Sequence, residues 1–186
     1  MNYEHLRWQE KEKEEAYRCR VFTVRDSHCV SPDGRKGSFS VIDAHDWAIV
    51  IPEIDDGAET DFLMVRQWRH GSQELSLEFP GGVIEQGENP EDAALRELRE
   101  ETGWAAGEIR ELGIFSPNPA IMSNRVHIFL ARKLYKEKGQ KLDEDEYLDL
   151  ERVSAGAVTE GMGRAPYTHA LMASALMLYF RFAKGE

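Results

Sequence analysis

The residues best spaced for chemistry in this sequence are three glutamates, Glu97, Glu100 and Glu101. On a helix, positions three and four apart share one surface, so the three carboxylates would stand side by side and repel one another. They would also fall in the last helical turn, where the dipole disfavours negative charge by about 0.3–1 kcal/mol per group. A divalent cation relieves both penalties. Carboxylates with no Cys or His nearby suit a hard ion, Mg²⁺ or Mn²⁺, rather than Zn²⁺. Ala93, one turn before Glu97, is expected to leave room above the ion for a ligand. The competing reading is a solvated acidic helix face, and the spacing argues against it.

The element that must carry these groups is legible from its ends. Asn89 is a good N-cap, Pro90 suits the first helical position, Glu91 and Asp92 complement the positive end, and Gly103 can close the helix in a left-handed turn. A helix of about three turns follows. Arg96 and Arg99 flank the acidic stripe, and Glu88, just before the cap, can bridge to Arg96 and tie the entering loop to the helix. The run Pro80-Gly81-Gly82 lets backbone approach the ion, with the Gly81 carbonyl as one more candidate ligand.

Written out, the stretch is Gly82, five residues, Glu88, seven residues, Arg96-Glu97-Leu98, one residue, Glu100-Glu101, one residue, Gly103 and the apolar Trp104. It resembles the Nudix box at every fixed position. The resemblance implies a hydrolase of nucleoside diphosphates linked to another group, using Mg²⁺ or Mn²⁺ held by the box. It also implies an α/β fold, the Nudix α/β/α sandwich with a mixed sheet. Glu97, Glu101 and Glu100 become the expected metal ligands beside Gly81, with Glu100 shared or bridging and counted among the catalytic groups.

Other stretches extend the resemblance toward the ADP-ribose pyrophosphatase branch. Val65-Arg66-Gln67-Trp68-Arg69 turns a strand cationic at its end, which suits a phosphate grip or an ordinary wet strand end with ion pairs. In the branch the last arginine of this element lies at the substrate, which raises Arg69 above Arg66. Glu78 corresponds to a substrate-contacting glutamate, or neutralises a nearby arginine. Pro117 and Pro119 occupy a loop, Ser116 to Asn124, where the branch also places prolines. Pro119 and the basic Arg125 are candidate substrate contacts, although Arg125 departs from the acidic pattern of several members. The loop Leu142-Asp143-Glu144-Asp145-Glu146 matches one that supplies the catalytic base, Glu144 first and Glu146 second. ADP-ribose, cleaved to AMP and ribose 5-phosphate, is the implied substrate. Other nucleotide sugars, dinucleotides, oxidised nucleotides and a non-catalytic sensor are the alternatives.

The chain has 186 residues and a formal net charge of −11, which argues against a nucleic-acid backbone binder. A metal-loaded acidic site still admits an anionic small molecule. The apolar run from Ala170 to Phe180 is too short to cross a bilayer and Arg181 stops it, so no membrane partner is expected and the cytoplasm is the default. Cys19 and Cys29 suggest neither a disulfide framework nor a metal site.

Residues 1–16 read as a charged arm, mobile or a short surface helix, with Trp8 the residue there that wants burial. Residues 17–186 form the expected domain, opening with a β-hairpin layer over about residues 17–43: a strand from Tyr17 to Arg25, a turn at Ser31 to Gly34, and a return from Lys36 to Asp43. The resemblance extends to this additional N-terminal β-layer, which implies a homodimer. Further strands are expected at Trp47 to Glu53, Asp61 to Arg69, Leu75 to Pro80, Ile109 to Phe115 and Arg125 to Ala131. Lys133 to Lys141 reads as a polar connection, and Tyr167 to Phe182 as an apolar helix.

Overall fold

The computed structural model describes residues 2–57, 59–137, 139–142 and 146–185. The second half of the expected arm is a strand. After a 3-10 turn at Glu4–Leu6, β1 (Gln9–Arg18) pairs antiparallel with β2 (Phe22–Val30), and β2 with β3 (Lys36–Ala44). Every residue of β1 is exposed. With both faces wet it has no hydrophobic alternation, and pairing with β2 makes it a strand. The single strand expected from Tyr17 to Arg25 is therefore divided, with Cys19 to Val21 forming the reversal. The turn at Ser31 to Gly34 forms as expected: Gly34 N donates to Ser31 O at 2.9 Å with Gly34 at φ 86°, a left-handed value that favours glycine. Trp8 packs edge-on against Phe39 at 5.2 Å but stays 45% exposed.

These strands and residues 116–125 form the first of two units. The loop is fastened to the end of β3: Ile42 N donates to Ile121 O at 2.7 Å, Ser123 N to Ile42 O at 3.1 Å, and Asn124 Nδ2 to His45 O at 3.0 Å.

The second unit, residues 46–115 and 126–186, is built on a seven-stranded sheet. In chain order its elements are β4 (Trp47–Asp55), β5 (Thr60–Arg69), β6 (Glu74–Glu78), β7 (Gly81–Val83), α1 (Pro90–Thr102), β8 (Trp104–Phe115), β9 (Val126–Lys136), β10 (Leu148–Ser154), α2 (Ala155–Gly161) and α3 (Ala170–Ala183). The strands run β10-β5-β4-β9-β8, with β6 beside β5 and β7 beside β4; β4 and β9 are parallel and the other pairs antiparallel.

Strand parity makes this a sandwich. Along β4, Ile49 and Ile51 join one cluster with Val126, Ile128 and Leu130 of β9, together with Met172, Ala175, Leu176 and Tyr179 of α3. Ala48 and Val50 face the other way, with Phe129, Ala131 and the α1 residues Ala93, Ala94 and Leu98. Alternate side chains of a strand point to opposite faces, so two strands buried on both sides hold helices above and below. Burying each of these large side chains stabilises the fold by about 1.5–3 kcal/mol.

One carboxylate sits inside this frame. Glu53 of β4 is only 7% exposed. Arg132 Nε lies 2.5 Å from its Oε1, and Tyr179 donates its hydroxyl to Oε2 at 2.7 Å. The Arg132 and Arg110 guanidinium groups in turn stand 5.1 and 4.6 Å from the Phe182 ring, so α3 is fastened at its end by charge as well as packing.

Candidate active site

α1 is capped at both ends as its sequence requires. Asn89 Oδ1 accepts from Glu91 N at 2.9 Å, and Gly103, at φ 73°, donates its N–H to Arg99 O at 2.8 Å. The orphan carbonyls of the last turn find partners in the segment after β9: Glu137 N donates to Gly103 O at 3.1 Å, Gln140 Nε2 to Glu101 O at 2.6 Å, and Lys141 N to Glu100 O at 2.8 Å. Lys133 to Lys136, expected as connection, belong to β9. Gln140 and Lys141 carry no sequence signal for this role, because the contact is long-range.

Glu97 and Glu101 project from the buried side of this helix, 9% and 4% exposed. Glu101 Oε2 accepts the Gly81 N–H at 2.9 Å, so the glycine run does approach the acidic stripe. At Gly82 an added Cβ would lie 2.5 Å from Glu97 Oε1, which shows how closely that carboxylate rides over the backbone. Ala93, expected to leave open space, is fully buried in the core beside Ala94 and Leu98. The side of the helix that it shares with Glu97 is packed against the core at that turn.

Electrostatics set the buried pair apart. Burial pushes Glu101 up to about 8, with Glu97 and Glu146 adding to the rise against the Gly81 hydrogen bond and Arg69. Burial likewise raises Glu97, opposed by Arg96 and reinforced by Glu100 and Glu146. Glu146 is thus brought within reach of both carboxylates. Among the described residues no three Asp, Glu, His or Cys side chains already enclose one point. Instead Arg96 Nη1 stands between Glu97 Oε1 at 2.8 Å and Glu100 Oε2 at 3.1 Å. The same guanidinium donates to Glu88 Oε1 at 2.9 Å, to Glu88 Oε2 at 3.0 Å and to Val83 O at 3.0 Å. Glu88 therefore fixes Arg96, and Arg96 fixes the stripe. An all-oxygen set with two buried, proton-hungry carboxylates fits a hard divalent cation.

Arg69 and Glu78 meet across β5 and β6. Arg69 Nε donates to Glu78 Oε1 at 3.0 Å and Nη2 to Oε2 at 2.6 Å. Glu78 is 1% exposed, while the Arg69 side chain keeps 44% of its surface. Burial alone would raise Glu78, but the bidentate arginine outweighs it and the net direction is down. Arg69 also acts on Glu101 electrostatically.

Not every candidate gathers there. Arg66 is paired with Glu151 of β10, Nη2 to Oε2 at 3.1 Å. Three residues along a strand is an odd step, so Arg66 and Arg69 leave β5 on opposite faces. Pro119 and Arg125 are exposed in the loop of the first unit. Glu144 lies outside the described residues. His169 was not singled out by sequence, yet its Nδ1 reaches 3.4 Å from Glu78 Oε2. Among the described residues no helix is long and apolar enough to cross a membrane.

Comparison with known proteins adds the following. Residues 44–171 match the family model for the NUDIX domain. The chain is 32% identical over 143 residues to ADP-ribose pyrophosphatase of Bacillus subtilis (strain 168), covering 76% of each chain. It is 32% identical over 138 residues to the methanol dehydrogenase activator of Bacillus methanolicus, covering 74% of this chain and 73% of that one. Over a further 138-residue alignment it is 30% identical to ADP compounds hydrolase NudE of Escherichia coli (strain K12), covering 74% and 72%. A crystal structure of an ADP compounds hydrolase superposes with a TM-score of 0.83 at 26% identity, over 97% of this chain and 96% of the other.

Proposed function

The chain belongs to the NUDIX family, and we propose that it hydrolyses the diphosphate linkage of a nucleoside diphosphate derivative, ADP-ribose above others, to AMP and ribose 5-phosphate. The observation that carries this is the buried Glu97–Glu101 pair, pushed toward protonation by burial and by Glu146, within electrostatic reach of Arg69. Likeness to an ADP-ribose pyrophosphatase and to ADP compounds hydrolases supports the choice of substrate.

In this reading Glu97 and Glu101 would hold Mg²⁺ or Mn²⁺, with Glu100 sharing it and the Gly81 carbonyl as one more oxygen donor. An ion held there would supply positive charge against the diphosphate and make water more acidic. Glu88 and Arg96 keep the ligands in place until then. Glu144, with Glu146 in support, takes the proton from the attacking water. Arg69 anchors the diphosphate, its guanidinium held against Glu78 while much of its surface faces out. Arg66 is committed to Glu151 and plays the smaller part. The homodimer belongs to the same reading, supported by the aromatic surface of the first unit at Trp8, Tyr17 and Phe39. No nucleic acid or membrane is needed as partner, and the cytoplasm is a fitting compartment.

The test is product analysis on a panel of ADP-ribose, GDP-mannose, UDP-glucose, NADH, diadenosine polyphosphates and oxidised nucleotides, with and without Mg²⁺ or Mn²⁺. ADP-ribose should lead and chelator should abolish turnover. Glu97→Gln should lose turnover with its fold retained; unchanged turnover would remove Glu97 from the mechanism. A flat panel with no metal-dependent product would favour a ligand sensor.

A further inference from the structure

The segment leading into α3 is laid along the strand that carries Glu78. Leu77 N donates to Pro166 O at 3.0 Å, and Phe79 N donates to Met172 Sδ at 3.0 Å. Between these two ties His169, the residue before α3, brings Nδ1 to 3.4 Å from Glu78 Oε2. That oxygen is the one already accepting from Arg69 Nη2 at 2.6 Å. The His169 Nδ1 atom is itself buried and, among the described residues, has no hydrogen-bond partner. Buried polar atoms are normally satisfied, so an orphaned ring nitrogen beside a carboxylate that grips an arginine calls for an explanation.

We infer that His169 is a positioning residue for the substrate diphosphate: by facing Glu78 it sets how tightly that carboxylate holds Arg69, and so how free the guanidinium is to bind phosphate. This rests on Arg69 being the substrate's anchor. The charged groups that act on the ring are Glu78 from β6 and Arg69 from β5. Burial holds the imidazole below its ordinary value, Glu78 acts to raise it and Arg69 to lower it. In neutral solution the ring is therefore uncharged and leaves the Glu78 carboxylate to its bidentate bond with Arg69. On acidification the imidazolium shares Oε2, the arginine's bond loosens, and the site gains a positive charge. A diphosphate diester, whose own charge is constant over this range, then binds more tightly, and by linkage its binding makes His169 easier to protonate.

The experiment is calorimetric binding of ADP-ribose, UDP-glucose and GDP-mannose to the full chain in chelator, from about pH 5 to about pH 8, in wild type and His169→Gln. Wild type should gain about threefold more affinity than the variant on going to the acid end, and the two should agree near pH 8. The His169 ring, followed by NMR without ligand, should titrate lower in Glu78→Gln and higher in Arg69→Gln. In wild type, ligand should move its titration up by about half a pH unit, a readout that does not need the variants to fold. Superimposed binding profiles, a ring indifferent to both neighbours and to ligand, or no binding of any of the three diesters would overturn the inference. Preference for UDP-glucose or GDP-mannose over ADP-ribose would overturn the substrate assignment alone and leave His169 in its role.

Discussion

A glutamate whose pKa burial has pushed up to about 8 keeps its proton at a pH where an exposed one has lost it, and Glu101 is such a group. The sign of its effect on stability follows. Below its unfolded value of 4.5 the carboxyl is protonated in both states and costs nothing. As pH rises toward about 8, the unfolded chain ionises first and the folded chain loses stability. The whole window is worth at most about 5 kcal/mol. Metal-free protein should therefore melt at progressively lower temperature between about pH 4.5 and about pH 8, and Mg²⁺ or Mn²⁺ should restore it. Glu101→Gln, which keeps an oxygen for the Gly81 N–H, should flatten that slope, melt higher than wild type near pH 8 without metal, and show no recovery with metal. Calorimetric scans across pH check it, and parallel slopes for variant and wild type would show that Glu101 is not the group responsible. The spacing of Glu97, Glu100 and Glu101 was readable from sequence because helix geometry is local. That Arg96 can stand between two of them follows from the same local geometry, but that His169 faces Glu78 was not readable, because the two are joined only through tertiary packing.

Among the elements, β7 and α1 make the site by approaching one another across two glycines whose replacement should fail differently. A Cβ at Gly82 would meet the Glu97 carboxylate at 2.5 Å, the movable end of a side chain, whereas one at Gly81 would meet the Ala48 carbonyl at 2.3 Å, fixed backbone. Gly82→Ala should keep its melting temperature but lose about ten- to a hundredfold in turnover as Glu97 is displaced. Gly81→Ala should lose about 1–3 kcal/mol of stability as β7 is pushed off β4. Denaturant melts and steady-state rates on the two variants separate these outcomes, and a stable, active Gly81→Ala would contradict the close approach. At α3 the Glu53 carboxylate sets a second contrast. Tyr179→Phe removes one neutral donor and should cost about 1 kcal/mol, while Arg132→Met strands a buried charge and should cost about 3–5 kcal/mol. Equal losses by denaturant titration would mean Arg132 is not the main counter-charge. The legible elements were those with local signals, α1 through its caps and β4 through its apolar run. β1 has two wet faces, β7 spans only Gly81–Val83, and α2 buries Val158 alone, so none offers a period to read.

For the molecule as a whole, the sandwich was expected through the resemblance to the Nudix box, and its physical reason is that β4 and β9 are apolar on both faces, so helices must cover both. The first unit gave less away. Its chain was expected to bury Trp8, yet the Trp8–Phe39 pair stays 45% and 47% exposed, with Tyr17 at 57% and Val21 at 67%. Exposed aromatic and branched apolar side chains of this kind are what a protein interface covers. The homodimer proposed above supplies a cover, a second copy, and two quantities distinguish it from a monomer. Each chain carries a formal charge of −11, so association must overcome like-charge repulsion that salt screens. Dimer affinity should accordingly rise between about 0.01 and about 0.15 M salt, where an interface held by ion pairs would weaken. Phe39→Glu places a further charge in the aromatic pair and should weaken dimerisation by at least about tenfold. Its far-UV circular dichroism should not change, because the side chain it replaces is half exposed. Sedimentation velocity over a range of concentrations reads both effects. A wild type that sediments as a monomer throughout would retire the dimer, and a Phe39→Glu variant that dimerises as well as wild type would move the interface away from this sheet.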